Sequence, residues 1–75
     1  MDIYRAWRQA ALSEMRSLAR AKIMDDSALQ APTETERDAL TAGAAALREK
    51  AAKDRDDMDR VRAFAISRGI VPPGD

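Results

Sequence analysis

Apolar residues recur every three to four positions over most of the chain, which is the periodicity of an amphipathic α-helix. A first helix is predicted from about residue 2 to residue 24. Its apolar face, read at about 100° per residue, contains Ile3, Tyr4, Trp7, Ala11, Met15 and Leu18. A polar face with Gln9, Ser13, Arg16 and Arg20 lies opposite. The pattern predicts that the face with the large side chains packs against the rest of the protein.

Residues 25–33 are predicted to connect this helix to a second one. Asp25 and Asp26 carry negative charge, which is unfavourable at a helix C-terminus because it opposes the helix dipole. Pro32 cannot sit inside a regular helix, since it lacks an amide hydrogen and its ring clashes with the preceding turn. The first helix is therefore expected to end at about Met24, and one irregular helical turn around residues 27–30 is an alternative within the connection.

The second helix, predicted over residues 34–68, has the clearest end signals in the chain. Thr33 and Glu36 have the spacing of a capping box, in which each side chain accepts a hydrogen bond from an unpaired amide of the first turn. Gly69 can take the left-handed conformation that follows many helix ends, and Pro72 prevents continuation. Residues 69–75 are expected to form a tail.

A heptad pattern runs along the whole second helix. Its first position is occupied by Arg37, Ala44, Ala51, Met58 and Ala65. Its second position is occupied by Leu40, Leu47, Asp54, Val61 and Arg68. Alanine in such a seam allows a partner helix to approach closely. The chain is therefore predicted to be one all-α domain over residues 1–75, an antiparallel helical hairpin with a short and a long helix.

The two predicted helices differ in length, at roughly 33 and 50 Å. In a hairpin folded at residues 25–33, Ile3 would lie beside Arg55, and the rest of the second helix would have no cover. The residues expected at this uncovered end, and so at an interface, are Ile3, Tyr4, Trp7, Met58, Val61, Phe64, Ala65 and Ile66. A dimer of two hairpins in a four-helix arrangement would bury them. The alternatives are a tail folded back over this end, or a break of the second helix near Gly43.

Composition limits the chemistry available to the chain. Its 75 residues include neither cysteine nor histidine, so disulfides, thiolate metal sites and histidine bases are excluded. The acidic run over residues 54–59 lacks the glycine and glutamate of a calcium loop and falls within the predicted helix. We therefore expect no enzymatic activity, no cofactor and no metal.

Charge is balanced overall, with 13 basic and 13 acidic residues, but residues 1–24 carry a net +3 and residues 25–75 a net −3. Arg5, Arg16 and Arg20 form a basic stripe on the first helix that could face a partner. Asp54 falls on the apolar seam. It either pairs with a basic residue of the facing helix, for which Arg8 is the candidate, or reaches solvent.

The function expected from these features is binding to another protein, as an inhibitor, adaptor or regulator that also forms a homodimer. Small single-domain chains of this format are common among phage and mobile-element genes, which is an association only. A nucleic-acid-associated protein that uses the basic stripe is the first alternative, disfavoured by the zero net charge. A structural subunit of a larger assembly is the second. No apolar run approaches membrane-spanning length and no signal peptide is recognisable, so a cytoplasmic location is expected.

Overall fold

The computed structural model describes residues 2–74 and contains two antiparallel helices. The first, α1, spans Ile3–Leu29, and the second, α2, spans Glu34–Ser67. They lie side by side in a rod of 54 × 18 × 13 Å. There is no strand within residues 2–74, and no helix there combines the length and the hydrophobicity needed to cross a membrane. The all-α helical hairpin predicted from the sequence is confirmed.

The helix α1 begins where the sequence predicts but ends five residues later. The Asp2 side chain caps its first turn by accepting a hydrogen bond of 3.0 Å from the Arg5 amide. The prediction that it ends at Met24 is wrong, and the connection shortens to residues 30–33. Asp25 forms an ion pair with Arg48 of α2, and Ala28 is buried. These contacts with α2 outweigh the unfavourable position of the carboxylates near the helix end.

Both predicted end signals of α2 are found. The Thr33 hydroxyl accepts a hydrogen bond of 3.1 Å from the Glu36 amide, which is the Thr33 half of the predicted capping box. At the other end, Gly69 has a φ of 70°. Its amide donates to the carbonyl of Ile66, and the Ile70 amide donates to that of Ala65, which is the hydrogen-bond pattern of a Schellman motif. The helix is continuous through Gly43, so the three-helix alternative is excluded.

The core between the helices is a seam of mostly small side chains. On α2, the heptad prediction is confirmed between residues 40 and 65: Ala44, Ala51, Met58 and Ala65 are buried, and Leu40, Leu47, Asp54 and Val61 are half-buried. Its two end members, Arg37 and Arg68, are exposed. On α1, the buried residues are Ile3, Ser17, Ala21 and Ala28. The predicted apolar face of α1 is therefore wrong in part, because Tyr4, Met15 and Leu18 are exposed.

The face of α1 that carries small side chains packs against α2 because α2 has alanines along its seam. Dispersion attraction weakens steeply with distance, so two helices gain most when small side chains let their backbones approach. A Cβ atom placed at Gly43 would lie 2.9 Å from the sulfur of the Met24 side chain, so Met24 of α1 packs directly over this glycine. Large side chains on the inner face of α1 would separate the helices along their whole length.

Candidate interaction surfaces

The uncovered end of α2 that the sequence predicts does not exist in the hairpin. Glu14 forms an ion pair of 2.9 Å with Arg55, so Ile3, eleven residues earlier, comes level with Ile66. Ile3, Met58 and Ala65 are consequently buried within the chain and cannot meet a partner without unfolding. The prediction placed Ile3 beside Arg55 because it ended α1 too early.

The tail covers much of what remains of this end. The Tyr4 hydroxyl donates a hydrogen bond of 2.5 Å to the Val71 carbonyl, and the Arg62 guanidinium donates one of 3.3 Å to the Pro73 carbonyl. A Cβ atom at Gly74 would lie 2.9 Å from the Trp7 ring, so the tail backbone runs directly against the indole. Of the two monomeric alternatives considered from the sequence, the folded-back tail is therefore the one observed.

Some apolar side chains at this end stay accessible. Tyr4, Phe64 and Ile66 are exposed, while Trp7 and Val61 are half-buried. The Arg68 guanidinium lies 5.0 Å from the centre of the Phe64 ring, in a cation–π contact that covers part of it. The residues of the predicted interface that remain exposed lie at separate positions around the tail.

A second set of exposed apolar side chains lies along α1. We call it the outer stripe and define it by four exposed side chains: Leu12 (42% exposed), Met15 (64%), Leu18 (47%) and Ile23 (64%). The prediction from the sequence missed this surface because it assigned Met15 and Leu18 to the core. The spacing of these residues by three to five positions was the available signal, since it shows that α1 carries two apolar faces.

The three arginines singled out from the sequence, Arg5, Arg16 and Arg20, are all exposed. Arg16 and Arg20 border an open groove between the helices, together with Lys50 of α2. Lys50 also contacts Ser13 of α1 through its ammonium group. The basic residues are thus on the surface, as predicted, and two of them share a groove with a third cation.

Asp54 does not pair with Arg8. Its carboxylate forms an ion pair of 3.3 Å with Lys50, one helical turn earlier on α2. The side chain is 14% exposed, so it lies at the edge of the seam with its charge compensated locally. The ion pairs between the helices are formed instead by basic residues of α2: Arg48 pairs with Asp25, and Arg55 pairs with Glu14.

The acidic run at residues 54–59 is helical throughout, so successive carboxylates point away from one another. Across residues 2–74, no three potential ligands of the His, Cys, Asp and Glu types come together as a metal site. Comparisons with protein-family models, with curated proteins and with solved structures find no significant match to this chain.

Proposed function

We propose that this chain is a non-enzymatic protein-interaction module that binds another polypeptide through the outer stripe of α1. As such a module it acts as an adaptor, inhibitor or regulator. The absence of cysteine and histidine from the whole sequence supports a role without catalysis.

The observation that carries this proposal is the distribution of large and small residues on α1. Mostly small side chains of α1 pack against α2, and larger apolar ones lie on the outside, where Met15 and Ile23 are each 64% exposed. Single exposed apolar residues are ordinary on a protein surface, but four of them within twelve residues of one helix more often mark an interaction site. The row follows one helix, which suits docking of another helix.

Site-specific photo-crosslinking in the native host tests this proposal. A photoreactive residue at Met15 should give a crosslinked polypeptide, whereas one at Glu49, which is exposed on α2, should not. Adding Leu18→Asp to the Met15 probe should abolish the product, because a carboxylate in the stripe cannot be desolvated without large cost. No product at Met15, or equal products at both sites, would contradict the proposal.

Irradiation of a host lysate with and without prior nuclease treatment separates this function from the nucleic-acid alternative. The observation behind that alternative is the groove in which Arg16 and Arg20 lie near Lys50. A protein–protein contact through the outer stripe survives nuclease, because no phosphate backbone holds it together. Loss of the Met15 product on nuclease treatment would favour nucleic acid over protein as the partner.

A further inference from the structure

The outer side of α1 carries a heptad seam of its own, separate from the one packed on α2. Its members follow each other at alternating spacings of four and three residues, and we call them the outer seam: Arg8, Leu12, Met15, Ala19, Lys22 and Asp26. All six side chains are exposed. A seam of this spacing is the contact pattern by which one helix packs lengthwise against another.

The outer seam is complementary to itself when a second α1 runs in the opposite direction. With the two-fold axis level with residue 17, Arg8 of one copy faces Asp26 of the other, and the symmetry repeats this pair. In the centre, Met15 faces Ala19, so that a large side chain meets a small one. Between these layers Leu12 faces Lys22, whose long aliphatic stem covers the leucine while its ammonium group reaches solvent. Opposite charges at the ends and matched volumes in the middle are what a lengthwise helix contact needs.

Other arrangements lack this complementarity. In a parallel pair, identical residues face each other, which opposes arginine to arginine and aspartate to aspartate. In the antiparallel register one heptad earlier, Arg5 would face Lys22. In the register one heptad later, Asp26 would face Met15 and its charge would be buried without a partner. The register centred on residue 17 is the one that opposes unlike charges.

We propose that the occupant of the outer stripe is a second copy of this chain, docked antiparallel along α1 with Arg8 facing Asp26 of the partner. This inference rests on the proposed function, and it identifies the polypeptide that the outer stripe binds. Two hairpins joined in this way form a four-helix arrangement through the outside of α1, not through the end at Trp7. Two side chains of the outer seam also line neighbouring surfaces: Arg8 lines the hollow between Trp7 and the tail, and Leu12 lines the groove at Arg16.

The Arg8–Asp26 pair can form only between two chains. The two residues are 18 positions apart on a continuous helix, which is roughly 27 Å at about 1.5 Å per residue. Neither has an ion-pair partner among residues 2–74. A change at one site that is rescued by a change at the other therefore reports contact between copies, and no rearrangement inside one chain mimics it.

Sedimentation equilibrium on the purified full chain measures the association. The outer seam is short, so we expect a weak dimer of about twice 8.3 kDa, with a dissociation constant in the range of about 10 to 500 μM. Met15→Asp should leave a helical monomer, and Ala45→Asp, on the exposed side of α2, should leave the dissociation constant unchanged. Monomeric wild-type protein at about 1 mM, above this expected range, would overturn the inference.

A charge exchange tests the register. Arg8→Asp and Asp26→Arg should each weaken association by about tenfold, because each puts like charges together at two symmetric positions. The double variant restores opposite charges and should return the dissociation constant to within about threefold of wild type. Additive weakening in the double variant would overturn the proposed arrangement.

The failures of the two proposals can be told apart. If the purified chain is monomeric but the Met15 probe captures a heavier protein in the host, the proposal of a second copy as the occupant is refuted. The proposal that the chain is a protein-interaction module is then still supported. If the charge exchange rescues the dimer and the host yields only self-crosslinked chain, the second copy stands as the occupant of the outer stripe, and an adaptor or regulator role would have to use another surface.

Discussion

Replacing Ala44 by leucine tests the close packing that defines this fold. Ala44 lies in the α2 seam with none of its surface exposed, whereas its neighbour Ala45 is exposed. Leucine adds three carbon atoms to a site with no free space. The helices must separate locally or the new side chain must adopt an unfavourable rotamer, and either response also loosens the neighbouring alanines.

The expected cost follows from the size of the misfit. Overpacking of a well-packed core costs about 1 to 3 kcal/mol. A chain of 75 residues has a total stability of roughly 4 to 11 kcal/mol, so the substitution removes a substantial part of it. For a domain of this size each kcal/mol changes the melting temperature by about 4 to 8 °C, which gives a decrease of about 4 to 24 °C.

Thermal unfolding followed by far-ultraviolet circular dichroism provides the measurement. Ala45→Leu is the matched control, since it makes the same chemical change one residue away, where leucine is nearly as good a helix former as alanine. Both variants are compared with wild type at one protein concentration, because self-association would itself raise the melting temperature. Equal melting temperatures for Ala44→Leu and Ala45→Leu would refute the packing of α1 on this face.

Two further predictions concern the end of α2 and the tail. Gly69→Ala should lower the unfolding free energy by about 1 to 2 kcal/mol in denaturant titrations, because a side chain opposes the φ of 70°. Gly69→Asn should lose less, since asparagine tolerates that conformation better, and an equal loss would argue against the conformational cause. Truncation after Ile70 should shift the fluorescence of Trp7, the one tryptophan in the chain, to longer wavelength, because Gly74 no longer covers the ring. An unchanged emission spectrum with unchanged helix content would show that the tail does not lie on Trp7 in solution.

The sequence by itself determined the two helices, the ends of α2 and one of the two packing faces. Signals such as Thr33 before α2 and Gly69 after it act on amides and carbonyls only a few residues away, so they can be read without the tertiary structure. The α2 seam could also be read, because its alanines and leucines repeat at heptad spacing and no other face of that helix competes with it.

Only the tertiary structure decided which face of α1 is buried and where that helix ends. Two apolar faces compete on α1, and the choice depends on the separation that the alanines of α2 permit. That separation favours Ser17 and Ala21 inside and leaves Met15 outside. The helix continues past Asp25 because Arg48, distant in sequence, compensates its charge. The helical periodicity of a sequence compares the faces of one helix by their hydrophobicity alone. It carries no information about the partner helix or its charges. The prediction therefore placed the largest apolar residues of α1 in the core.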